Sequence, residues 1–131
     1  MLTDKEIERR EPLWEAFSDF WLDNQLQDFE YERTADLMIW SGYSLEELEK
    51  IFTEEVAPVV YSNLFSMTGE WAGFDSKWLH QRIIENIEKT ESDFFYRKWI
   101  QSSAGKFLMT RMTQEEWKTL VKTYRRKLEE T

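Results

Sequence analysis

Three times in this chain a Ser or Thr is followed three residues later by Glu and then by apolar residues at helical spacing: Thr3 with Glu6, Ser44 with Glu47, and Thr113 with Glu116. In such a capping box the hydroxyl takes the N–H of the third helical residue. The glutamate reaches back to the N–H of the cap, so two donors that a helix start leaves open are satisfied at once. No long stretch alternates apolar and polar residues as a half-buried strand would, although Gly105 to Thr110 is ambiguous. The fold class expected is therefore all-α, a compact single-domain bundle of about six helices over residues 1–131.

The apolar periodicity places the helices. Pro12 suits the first turn of one, where its missing N–H costs nothing, and Leu13, Ala16, Phe17, Phe20 and Trp21 follow as its inward stripe. A second is expected over Phe29 to Ser41, with Asp28 as cap, Tyr31, Ala35, Met38 and Ile39 inward, and Gly42 ending it in a left-handed conformation. The Ser44 box opens a third, carrying Leu45, Leu48, Ile51, Phe52 and Val56. Pro58 should kink or end it, because its ring collides with the carbonyl four residues earlier. Gly69 to Asp75 reads as a loop, and Asp75 or Ser76 caps a helix with Trp78, Leu79, Ile83 and Ile87. Ser92 to Ile100 forms another, with Phe95 and Trp99 on its apolar face, until Ser102, Ser103 and Gly105 break it. The Thr113 box opens the last, whose stripe is Trp117, Leu120, Val121, Tyr124 and Leu128.

Composition excludes several chemistries. There is no cysteine, hence no disulfide framework, zinc–thiolate site or thiol nucleophile. Aromatic residues make up 16% of the chain, with seven Trp, too many for a disordered acidic tail. Met1 to Arg10 has no apolar signal-peptide core, and no apolar run approaches the roughly 20 residues needed to cross a bilayer. A cytoplasmic protein without a membrane partner is the expectation. The net charge is -9, unevenly spread: residues 1–70 hold 17 acids and 5 bases, residues 71–131 hold 9 acids and 12 bases. That split suggests an acidic surface suited to a basic partner.

Catalysis lacks a signature. The single histidine, His80, has Lys77 three residues before it, so the Glu-x-x-His pattern of a helical di-metal site is missing. A partly buried structural histidine is the expectation there. No Gly-x-Ser-x-Gly elbow and no phosphate-cradling Gly-Lys-Ser/Thr occurs. Pairs such as Glu15 and Asp19 share a helix face, but a chain with 26 acids produces such pairs by composition alone. No metal, cofactor or catalytic residue is expected. The cations of the last helix, Lys118, Lys122 and Arg125, lie opposite its apolar stripe, and the net charge opposes phosphate. Direct nucleic-acid binding is not expected either.

Protein binding has more support. Interfaces favour Trp and Tyr, which bring area at little entropic cost. Trp71 lies in a glycine-flanked loop rather than on a helical stripe. With Glu70 beside it and Glu54 and Glu55 on the preceding helix, it is the expected partner-binding set, alongside Glu46 and Glu49.

The segment Trp14-Glu15-Ala16-Phe17-Ser18-Asp19-Phe20-Trp21-Leu22-Asp23 resembles one found in a family of small, uncharacterised acidic bacterial proteins. Glu55-Val56-Ala57-Pro58-Val59 and Gly69-Glu70-Trp71-Ala72-Gly73-Phe74 match it in the same order. The likeness covers about residues 9–88 and leaves the C-terminal helices, 92–130, unmatched. In size, acidity and lack of cysteine the chain is also similar in type to immunity proteins of bacterial toxin systems, including contact-dependent growth inhibition. That similarity implies a non-enzymatic protein that binds and neutralises a basic toxin domain, such as a nuclease. The rival expectations are a housekeeping protein–protein adaptor and a small helical enzyme using paired carboxylates. A homodimer built on surplus aromatics is compatible with all three.

Overall fold

The computed structural model describes residues 2–22, 25–64 and 75–131. All regular structure among them is helical: α1 (Asp4–Ser18) with a 3-10 turn (Asp19–Trp21), α2 (Asp28–Ser41), α3 (Leu45–Lys50), a π-helical stretch (Ile51–Val56), α4 (Ala57–Leu64), α5 (Ser76–Ser92), α6 (Phe94–Gln101), α7 (Ser103–Thr110), a second 3-10 turn (Arg111–Thr113) and α8 (Gln114–Glu130). α3, the π stretch and α4 run on as one rod, and only Ser102 separates α6 from α7. The architecture is the all-α bundle that the caps and periodicity imply.

Two of the three boxes form. The Thr3 hydroxyl accepts from the Glu6 N–H and the Ser44 hydroxyl from the Glu47 N–H, each with the reciprocal glutamate bond. The third does not. A 3-10 turn leads straight into α8, Thr113 is fully buried, and its hydroxyl donates back to the Thr110 carbonyl at 2.9 Å. The first helix also starts earlier than Pro12 suggests, because the Thr3 box nucleates it at Asp4. Pro12 then sits inside α1 and leaves the Glu8 carbonyl without its partner four residues on. Glu8 is exposed, so water can take that bond. Gly42 ends α2 at φ 75°, as expected, while the cap of α2 is Gln27 rather than Asp28.

Pro58 neither ends nor breaks its helix. The backbone widens ahead of it, with the Ala57 N–H donating to the Phe52 carbonyl five residues back. The π turn makes room for the proline ring, and α4 follows without interruption.

The core gathers Trp14, Phe17, Trp21, Met38, Leu48, Phe52, Leu79, Ile83 and Leu120, all under 3% exposed. Its centre is aromatic: Phe52 lies 5.4 Å from Phe17, 4.8 Å from Trp21 and 4.5 Å from Trp117 between ring centroids. Trp21 satisfies its buried N–H on the Met109 carbonyl at 3.0 Å, tying the first 3-10 turn to α7.

One apolar face is reversed from expectation. In α6 the inward residues are Tyr96 and Ile100, whereas Phe95 is 81% and Trp99 44% exposed. α7 seats closely against the end of this helix. A Cβ on Gly105 would stand 2.2 Å from the Trp99 carbonyl oxygen, so only glycine lets the first turn of α7 abut the end of α6. The Ser102 hydroxyl locks the corner, accepting from the Gly105 N–H at 2.9 Å and donating to the Trp99 carbonyl at 2.7 Å.

Candidate functional site

The π stretch sends two consecutive glutamates in different directions. Glu55 turns toward α1, where its carboxylate meets the Arg10 guanidinium and accepts from the Trp14 indole N–H at 2.9 Å. Arg10 also donates to the Tyr43 hydroxyl at 3.1 Å, and Arg9 covers the Tyr43 ring at 4.0 Å. Burial pushes the Glu55 carboxyl above its ordinary range, outweighing Arg10 and the Trp14 N–H, which favour its charged form. Burial also opposes the charge on Arg10, but Glu55 and Tyr43 prevail and hold the guanidinium above its ordinary range.

Glu54 turns the other way, to the Lys106 ammonium on α7 at 3.2 Å. Its backbone carbonyl, which Pro58 leaves without a helical donor, accepts from the Asn86 side-chain amide at 3.0 Å. Asn86 is 7% exposed, and its other end accepts from the Tyr96 hydroxyl. A polar relay thus runs from the π stretch through α5 to α6.

Glu54 and Glu55 wall a groove of about 230 Å³ between α1, α3 and α5. Four carboxylates (Glu47, Glu54, Glu55 and Glu91) face two cations, Arg10 and Lys50, over a floor of Ile51 and Ile87. Two of the expected contact residues therefore do come together, with charges already answered by Arg10 and Lys106. The other two, Glu70 and Trp71, lie outside the described residues. Glu46 and Glu49 stand exposed on α3.

The two halves of the charge distribution do not form two faces. The basic α8 packs along the acidic α2, with Arg126 on Glu32 and Lys127 on Asp36 at 3.0 Å. Folding crosses the halves over each other, and part of the acidity of residues 1–70 is neutralised by cations from the other end of the chain.

His80 bridges α5 to α1. Its Nδ1 is 2.9 Å from Glu11 and its Nε2 3.3 Å from Glu15, and its ring lies 5.8 Å from that of Trp14. The Nε2 contact has ion-pair distance without hydrogen-bond alignment. The side chain is 17% exposed, partly buried as its place beside an apolar stripe implies. No group of three or more metal-ligating side chains converges among the described residues, and no described helix is long and apolar enough to cross a membrane.

What the periodicity missed is the outer side of α6 and α7. Phe94, Phe95, Trp99, Phe107, Leu108 and Met112 are each at least 42% exposed. The readable signal was the pairing of bulky residues at 94–95 and 107–108, which puts apolar side chains on more than one side of so short a helix.

The family model described as domain of unknown function (DUF7079) matches residues 8–123. No curated protein and no solved structure matches the chain.

Proposed function

This chain belongs to the DUF7079 family, and from that premise we propose that it is a non-enzymatic immunity protein, one that binds a basic toxin domain of the nuclease kind and neutralises it stoichiometrically. The observation that carries the reading is the groove in which four carboxylates outnumber two cations, beside the exposed Glu46 and Glu49. A lysine or arginine of a partner entering it would meet a lining richer in carboxylates than in cations. The aliphatic part of such a side chain would lie on Ile51 and Ile87. An acidic inhibitor suits a nuclease because it competes for the surface that would otherwise hold phosphate, and its field speeds encounter. Glu54 and Glu55 act in this scheme as the groove's wall. Glu70 and Trp71 keep their proposed part as contacts on the basis of sequence alone.

The test is capture of partners from the native host, followed by expression of each captured basic domain with and without this chain. Rescue of growth from a toxic partner is the expected result. A partner that is harmless when expressed would favour a housekeeping adaptor, and recovery of no basic partner would sink the reading.

A further inference from the structure

We infer that the outer side of α6 and α7 is a peripheral docking surface for an anionic lipid membrane. In a chain with 26 acids, residues 94–114 contain none and carry four cations, of which Lys106 is paired with Glu54 and Arg97, Lys98 and Arg111 are the others. Six of the nine exposed large apolar side chains among the described residues lie in this acid-free stretch: Phe94, Phe95, Trp99, Phe107, Leu108 and Met112. Lys98 lies 5.2 Å from the centre of the Phe94 ring, and Lys98 and Arg111 are both exposed. Two short helices joined at a locked corner thus present apolar bodies flanked by cations. That is the composition of an amphipathic surface that sinks its apolar side chains to the acyl boundary while Lys and Arg meet headgroups. Such attachment needs no spanning helix.

Charge selects this occupant over the others. A second copy seated on the same face by a two-fold axis would enclose Lys98 and Arg111 from both chains in a patch to which residues 94–114 contribute no acid. The basic partner proposed above would be repelled by the same cations. The excluded carboxylates answer an anionic counterpart, and a lipid surface asks only for apolar side chains and cations at one depth, with no matching pocket.

The experiment is flotation of the full chain with vesicles of phosphatidylcholine alone, and of phosphatidylcholine mixed with an equal part of phosphatidylglycerol. Binding to the anionic vesicles at least about tenfold above the neutral ones, weakened by salt, is expected. The double variant Phe95→Ser/Trp99→Ser should lose it, and Lys98→Ser/Arg111→Ser should reduce it to the neutral level. All four positions are exposed, so folding, checked by circular dichroism, should be unchanged. Failure to float with either vesicle, or equal flotation of wild type and both variants, overturns the proposal. So does a dimer, seen by light scattering and abolished by Phe95→Ser/Trp99→Ser, in a chain that ignores vesicles. None of these substitutions touches the acid-lined groove, so rescue of a toxic partner stands or falls separately.

Discussion

The side-chain amide of Asn86 donates to the backbone carbonyl of Glu54 at 3.0 Å, the carbonyl that Pro58 leaves without a helical donor. The π turn and this bond together let a proline sit inside a buried rod. Replacing Asn86 by Ala strands both the Glu54 carbonyl and the Tyr96 hydroxyl away from their partner. Urea denaturation should show a loss of about 2–3 kcal/mol. An Asn86→Ala chain as stable as wild type would mean that water serves both groups equally well.

Glu55 joins α1 to the π stretch through Arg10 and Trp14. Glu55→Gln keeps the shape and removes a charge whose burial outweighs its pairing with Arg10, so the variant should be at least as stable as wild type at neutral pH. The carboxyl sits above its ordinary range when folded. Its contribution is therefore full below 4.5, the unfolded value, and declines as pH rises through the folded one. Glu55→Gln, which does not titrate, should accordingly match wild type most closely below 4.5 and gain on it as pH rises, as measured by denaturation at several pH values.

Asp19 opens the first 3-10 turn with its carboxyl raised by burial, against the help of Arg33. Above the ordinary value of 3.8 the folded chain holds that proton more tightly than the unfolded one, so stability falls as pH rises through the folded value. Asp19→Asn should flatten this part of the pH–stability curve and melt higher than wild type near pH 7. A variant that keeps the full wild-type slope would assign it to Glu55 alone.

Gly105→Ala would drive a Cβ to 2.2 Å from the Trp99 carbonyl oxygen, a backbone atom that cannot swing aside. The α6–α7 corner must open, at about 1–3 kcal/mol. Near-ultraviolet circular dichroism should change with the setting of Trp99, while helix content is retained.

Charge reversal on α3 separates binding from folding. Glu46→Lys/Glu49→Lys alters two exposed side chains. It should leave the melting temperature nearly unchanged and slow association with a basic partner roughly tenfold at low salt. Loss of that difference in high salt would confirm steering. Equal rates at low salt would remove α3 from the interface.

Sequence alone determined where most helices begin and which stripes the first five elements turn inward. Thr3, Ser44 and Gly42 act through bonds within a few residues of themselves, so their roles are written locally. Thr113 shows the limit. Its box spacing is intact, yet the 3-10 turn before it points the hydroxyl at Thr110 instead. Tertiary structure decided everything that depends on a neighbour distant in the chain. Glu54 and Glu55 differ in sequence only by position, but Lys106 and Arg10 give them separate tasks. The acidic and basic halves look like two faces until α8 lies along α2. Phe95 and Trp99 form a stripe that reads the same whether protein covers it or not, and the fold leaves it uncovered. Local bonding is encoded by residue type and spacing. Coverage and charge pairing are properties of what the fold brings alongside.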